Sequence, residues 1–235
     1  MEKEEYVYKV FQSIAKGYDG ANLRISLGLH MIWKKRAAEM LSRSLPQGGR
    51  LLDICCGTGD MTELMLRSRP DIVVTALDFS PEMLSLAERR FAGDRRVKLV
   101  RGNALNMPFE RESFDAAVIS FGLRNTADYT AALREAARVL KAGGGFCCVD
   151  SFLPECSLVR PFYNLYFSLL MPLLGGGIKK FGEYRWLSKS TKAFVSPEQL
   201  KDMLAGQNMR PKVEKSFMFG SCEFIYAIKC EEAFL

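Results

Sequence analysis

Residues 50–149 alternate short apolar runs with stretches of helical spacing, and that alternation limits the fold more than any other feature of the chain. Strands are predicted over 51–55, 72–77, 97–100, 116–120 and 146–149, with helices over 61–68, 81–91 and 131–140 between them. Parallel neighbours need a crossover, and a crossover helix covers the sheet it spans, so strands apolar on both faces predict a parallel sheet sandwiched by helices. The expected class is α/β with a doubly wound, mostly parallel sheet. Ligands in such sheets lie beyond the carboxyl ends of the strands. The residues after each strand are therefore the first candidates for a site.

The first strand leads into LLDICCGTGD, residues 51–60, where Gly57 and Gly59 allow positive φ and a close approach of backbone to a ligand. A dinucleotide-type turn would carry a third glycine at position 62, and Thr62 stands there instead. Backbone amides at a helix start would suit a ligand with a carboxylate rather than a pyrophosphate. After the second strand comes Asp78, placed to accept both hydroxyls of a ribose. Asn103 follows the third strand and carries both a donor and an acceptor, which an adenine edge needs; it serves equally as a turn residue. Met107-Pro108-Phe109 would wall the same base or pack in the core. Ser120-Phe121-Gly122-Leu123-Arg124-Asn125 follows the fourth strand and puts an arginine at the ligand edge. Carboxylate, ribose and adenine binders thus come in chain order, the pattern of S-adenosylmethionine binding.

Outside this core, Val7, Val10, Phe11 and Ile14 recur at helical spacing until Gly17. A second helix is expected over 27–45, with Trp33, Ala37, Met40 and Leu41 on one side and Lys34, Lys35, Arg36 and Glu39 mostly off it. Residues 157–174 are apolar and aromatic, followed by a Gly175-Gly176-Gly177 hinge. Runs over 212–219 and 222–229, joined near Gly220, predict an antiparallel pair at the sheet edge. The chain divides into an N-terminal helical lid (1–46), a cofactor-binding core (50–150), a substrate-covering insertion (151–195) and a C-terminal helix with edge strands (196–235), all in one domain.

Composition narrows the function classes. A net charge of +6 without a concentrated basic stretch gives no argument for nucleic acid. Seven cysteines include the neighbours Cys55-Cys56 and Cys147-Cys148, which suit a strand core and a reducing compartment better than disulfides. With one histidine and no CxxC spacing, no metal site is expected. The opening residues lack the pattern of a signal or transit peptide, and the apolar run 165–174 is about half the ~20 residues a spanning helix needs. The expectation is a cytoplasmic protein.

Four segments make the chain resemble the C-methyltransferases of ubiquinone and menaquinone biosynthesis, demethylmenaquinone methyltransferase-like members of the Rossmann-like class I methyltransferases. These are Tyr18-Asp19…Asn22…Ser26…His30…Trp33, LLDICCGTGD, ISFGLRN at 119–125, and Arg138-Val-Leu-Lys-Ala-Gly-Gly144. The resemblance implies S-adenosylmethionine held by Asp53, Thr58, Asp78, Asn103, Ala104 and Ser120, with Gly57 and Gly59 making room. It also implies methyl transfer to a ring carbon of a polyprenylated quinol, with Arg124, Asn125, Tyr18 and Asp19 on the ring side and His30 and Tyr184 as further substrate contacts. Arg124 would stabilise the phenolate and Asn125 orient the ring oxygen. The opening helices and residues 162–174 would cover the ring and tail. Ala21, Ala142, Asp150, Phe152 and Ile225 depart from the family pattern. Such a substrate implies transient contact with the inner face of a membrane; a homodimer is left open. The rival readings are methylation of another small apolar acceptor, such as a sterol or phenol, and a cofactor-binding module without turnover.

Overall fold

A computed structural model describes residues 3–154 and 156–231. Residues 1–2 and 232–235, the ends of the predicted first and last segments, lie outside them. The alternating region folds as β1 (Arg50–Ile54), α4 (Asp60–Ser68), β2 (Val73–Asp78), α5 (Pro81–Arg90), β3 (Val97–Arg101), β4 (Phe114–Ser120), α6 (Tyr129–Val139) and β5 (Leu140–Ser151). Before it come α1 (Lys3–Ile14), α2 (Tyr18–Ser26) and α3 (Leu29–Ser42). After it come α7 (Arg160–Leu165), a π-turn over Tyr166–Leu170, α8 (Met171–Gly176), α9 (Phe181–Ala193), α10 (Pro197–Gly206), β6 (Met209–Phe217) and β7 (Cys222–Lys229).

Among the described residues these strands make one seven-stranded sheet in the order β3-β2-β1-β4-β5-β7-β6. The first five run parallel, and β7 lies antiparallel to both β5 and β6. The topological switch falls between β1 and β4, so their carboxyl ends open a crevice. Strict alternation sorts the strands between two cores. Leu52, Ile54, Ala117, Ile119 and Cys148 pack toward α6 and α10. Leu51, Val74, Ala116, Val118 and Cys147 pack toward α3 and α4. The neighbouring Cys147 and Cys148 thus point to opposite faces, as the period of a strand requires. The cysteines are free thiols.

Helix starts follow local chemistry. Ser80 Oγ accepts from the Met83 amide at 3.3 Å with Pro81 next in line. Ser196 and Gln199 form a reciprocal capping box at the start of α10.

Five expectations need correction. Gly17 does not end the N-terminal helical region: a 3₁₀ turn over Ala15–Gly17 leads straight into α2. The polar sequence of α2 hid its one buried position, Ala21. Leu27 (φ 51°) and Gly28 (φ 80°) then turn left-handed, so α3 begins at Leu29. Lys34, expected off the buried side, is itself buried. The last parallel strand extends from Leu140 through the glycine run to Ser151, with a register shift against β4 between Phe114 and Ala116; within it a Cβ on Gly145 would stand 2.8 Å from Ser44 Oγ. Finally, Gly175 and Gly176 are a seat for an aromatic ring rather than a hinge, since a Cβ on Gly175 would lie 2.4 Å from Tyr184.

The remaining helices form a layer over the crevice. Val10, Ile14 and Ala21 of the opening helices share a third core with Met171, Tyr184 and Leu187. Among the described residues no helix is long and apolar enough to cross a membrane.

Candidate functional site

Two cavities adjoin at the carboxyl edge of the sheet and share Tyr18 and Phe121. The inner one, about 110 Å³, is lined by residues following β1, β2, β3 and β4, with Glu4, Val7 and Phe11 of α1 across it. The outer one, about 430 Å³, is mainly apolar and is walled by α2, α3, α7 and the π-turn.

The inner cavity is built by backbone that few side chains would allow. Cys55 (φ 57°), Gly57 (φ 57°) and Phe121 (φ 56°) are all left-handed at the strand ends. Such conformations gather where a site dictates them. The two turn glycines have different reasons to lack a side chain. A Cβ on Gly57 would meet nothing within 4 Å, whereas one on Gly59 would meet Phe91 at 2.4 Å. Gly57 keeps space open; Gly59 permits packing.

Asp78 is buried beside this turn. Its Oδ2 accepts from the Gly57 amide at 2.8 Å and its Oδ1 from the Ser80 amide at 2.9 Å. Burial raises its carboxyl to about 6 against the pull of those amides. Ser120 Oγ lines the cavity buried and without a hydrogen-bond partner. Asn103 Oδ1 accepts from the Leu105 amide at 2.9 Å, a turn role, while its Nδ2 donates to Glu4 Oε1 at 3.4 Å. Ala104 completes that wall. An open backbone cradle at Gly57, an acid at the second strand, an amide at the third and an orphaned hydroxyl at the fourth fit a nucleoside bearing a charged tail.

Asp53, Thr58 and Gly59 do not line the cavity; they lie behind the turn. Asp53 is fully buried with Oδ2 accepting from Thr62 Oγ1 at 2.7 Å and Oδ1 unpaired. Burial raises its carboxyl to about 7. Thr58 Oγ1 donates to Asp19 Oδ1 at 2.7 Å. Asp19 also takes Arg90 at 2.8 Å, Arg90 reaches Asp60 at 2.6 Å, and Asp60 takes Lys34 at 3.0 Å. Asp19 therefore serves in a charge network that ties α2 and α3 to the turn. It lines neither cavity.

The ring-side residues divide between the cavities. Tyr18 lies at their junction, Asn125 lines the inner one, and Arg124 and His30 line the outer one. Arg124 is only 6% exposed; its backbone amide donates to Asp150 Oδ2 at 3.2 Å, while its Nη1 bonds Asp150 and the Phe121 carbonyl. Its Nε has no partner. Asn125 is held at both ends, Nδ2 donating to the Phe121 carbonyl and Oδ1 accepting from Trp186 Nε1 at 3.1 Å. It fixes the loop. His30 Nδ1 pairs with Ser26 Oγ at 2.5 Å, and burial together with Lys34 lowers its ring to about 4. Tyr184 lines neither cavity, being seated under Gly175 and Gly176. Phe152 and Ile225 are core residues. Sequence reasoning missed α1 as a wall of the inner cavity; Tyr163 falls within the 162–174 stretch expected over the ring but was not singled out there. Amphipathic spacing marks a helix face without saying what it faces.

The profile of the ubiE/COQ5 methyltransferase family matches residues 1–229. Demethylmenaquinone methyltransferase of Staphylococcus aureus (strain Newman) is 43% identical over 202 residues, 85% of this chain and 83% of that one. The sheet and its helices superpose on a SAM-dependent methyltransferase from Aquifex aeolicus (TM-score 0.64, 16% identity, 93% of this chain and 97% of that one). They also superpose on a chain of the complex between the Haloferax volcanii Trm112 methyltransferase activator and a methyltransferase (TM-score 0.66, 17% identity, 98% of both chains). At such identities these two likenesses speak for the fold.

Proposed function

The chain belongs to the ubiE/COQ5 methyltransferase family, and from that premise we propose that it methylates a ring carbon of a polyprenylated hydroquinone, demethylmenaquinol first, using S-adenosylmethionine. The observation that carries this reading is the junction itself. A nucleoside-type cavity opens at Tyr18 and Phe121 onto a larger apolar cavity that holds a buried arginine.

S-adenosylmethionine would supply a methyl group on a positively charged sulfur. Asp78, Asn103 and Ser120 are the side chains placed to hold it, with Gly57 leaving room. The protein must then make the ring carbon a better nucleophile. A phenol has a pKa near ~10, and a fixed cation beside its oxygen favours the ionised form, which feeds electron density to the ortho carbon. Arg124 is that cation. Arginine is too basic to take the proton, so its role is electrostatic. Asp150 and Phe121 hold its Nη1 end, leaving Nε for substrate. Tyr18 sits where ring and methyl donor would meet, and confinement of two reactants can contribute up to ~7–11 kcal/mol in well-oriented systems.

The prenyl tail leaves through the apolar wall of the outer cavity, whose rim exposes Leu27, Phe162 and Phe219. That rim is where a bilayer would deliver such a substrate. The deciding experiment incubates the protein with methyl-labelled S-adenosylmethionine and, in parallel, a demethylated prenyl naphthohydroquinone, a benzohydroquinone, a sterol and a simple phenol. Label on the naphthohydroquinone ring carbon is the expected result. Label on the sterol or phenol alone, or donor binding with no transfer, sinks the reading.

A further inference from the structure

Among the described residues, two that line the outer cavity carry a buried side-chain polar atom without a partner, and Arg124 Nε is one of them. The other is the Tyr163 hydroxyl, which is buried and unpaired. A buried donor without an acceptor costs free energy, and a native wall that keeps two of them calls for a reason. Tyr163 stands on α7, and its ring is fixed by stacking on Phe167, centroids 4.0 Å apart at 22°. Arg124, which lines the same cavity, stands on the turn after β4, clamped by Asp150. Neither group is free to seek another partner.

Both residues line the same cavity, and the Arg124 charge bears on the ionisation of the Tyr163 phenol. Burial opposes the guanidinium's charge, yet the Asp150 carboxylate holds it firmly protonated. Burial pushes the Tyr163 phenol above its usual range despite Arg124. At neutral pH, Tyr163 is therefore an O–H donor and Arg124 an N–H donor.

We propose that the Tyr163 hydroxyl and Arg124 Nε form a two-donor cradle for one hydroquinone oxygen, which makes Tyr163 a catalytic residue. The inference rests on the hydroquinone reading above and adds to it the group that binds the oxygen together with the arginine. The chemistry balances without another reagent: the substrate O–H breaks, its proton passes to water, and the electron pair stays on the oxygen between the two donors. Preorganised donors aimed at developing negative charge are among the strongest devices an apolar site can use. Tyr166, the other hydroxyl-bearing residue that this segment gives to the cavity lining, donates its hydroxyl to the Ile25 carbonyl, which leaves Tyr163 as the segment's unspent donor.

The test is Tyr163→Phe, which removes one oxygen and keeps the ring stack, assayed with a short-tailed demethylated naphthohydroquinone kept reduced. Expected at pH 7 is a kcat at least tenfold lower, with KM changed less than threefold and S-adenosylmethionine affinity by calorimetry unchanged. The ascending limb of kcat against pH, which reports groups in the loaded enzyme, should move about one unit alkaline, since one donor fewer leaves the bound phenol harder to ionise. Arg124→Lys, which keeps charge but loses Nε, should move the limb the same way. Tyr163→Phe with wild-type kcat and an unmoved limb overturns the cradle while leaving the hydroquinone reading intact. So does a loss of donor affinity equal to the loss of turnover, because that marks a structural role. A wild-type protein that methylates no hydroquinone removes the reading beneath it instead.

Discussion

Thr62 stands where a third glycine would make a pyrophosphate-binding turn, and its hydroxyl instead donates to Asp53 beneath that turn. Thr62→Val keeps the shape and removes the side-chain hydrogen bond to the buried carboxyl, so it should cost about 1–3 kcal/mol in urea unfolding. Asp53 also gives stability a pH dependence of known sign. Its folded value of about 7 lies above the usual 3.8, so between those values the fold keeps a proton that the unfolded chain releases. Stability therefore falls as pH rises through that window. Asp78, raised to about 6, adds the same slope below pH 6. His30, lowered from 6.5 to about 4, has the opposite effect, because below 6.5 the unfolded chain takes a proton the fold refuses. Between about pH 6.5 and 7 the decline belongs mainly to Asp53. Asp53→Asn should flatten thermal stability there and leave the His30 slope in place; an unchanged decline would contradict this assignment. None of this was legible in the sequence. Thr62 and Asp53 belong to a helix and a strand, and a motif records their spacing but not that one hydroxyl points at the other.

The elements show a different balance. The parallel core was readable because its central strands β1, β4 and β5 are largely buried and apolar and the crossover helix α5 carries a start signal, Ser80-Pro81, which acts locally. The opening helices were readable as helices but not in their placement. That placement rests on Lys34, Asp60, Arg90, Asp19 and Thr58, charges from four helices and a hydroxyl from the turn after β1, which look like solvated surface when read singly. Lys34 and Asp60 are both largely buried, and removing one partner of such a pair typically costs ~3–5 kcal/mol. Lys34→Met should fall at the lower end, because Arg90 still faces Asp60. The double variant Lys34→Met/Asp60→Asn should recover at least about 1 kcal/mol of that loss, which denaturant titration of both proteins would measure. Full additivity of the two changes would mean that the pair does not fasten α3 to α4.

At the scale of the whole molecule, the exposed apolar surface is unevenly placed. Leu158 is 81% exposed, Phe162 74%, Ile178 90% and Leu27 83%, and Leu165, Leu169 and Leu173 continue a helical stripe between them. Residues 157–178 contain no acidic residue; Arg160 lies within this run and Lys179 and Lys180 follow it. Arg24 ties α2 to the carbonyl of Leu174 at 3.0 Å, so Leu23 and Leu27 join the same surface. An apolar face fringed by cations suits the interface of an anionic bilayer, where each fully buried large side chain is worth ~1.5–3 kcal/mol and the cations add a salt-sensitive attraction. The expected outcome is that the protein cosediments with vesicles containing an anionic lipid, less so at high salt. Phe162→Ser/Leu165→Ser/Ile178→Ser should bind at least tenfold more weakly. The same variant should lose turnover of a long-tailed hydroquinone embedded in vesicles while retaining it with a short-tailed one in solution, because the reacting groups lie deeper in the cavity. If the triple variant binds vesicles like the wild type, or the wild type instead buries these residues in a stable dimer, the face has another occupant. Loss of both activities would place these side chains in the cavity's structure rather than at its approach.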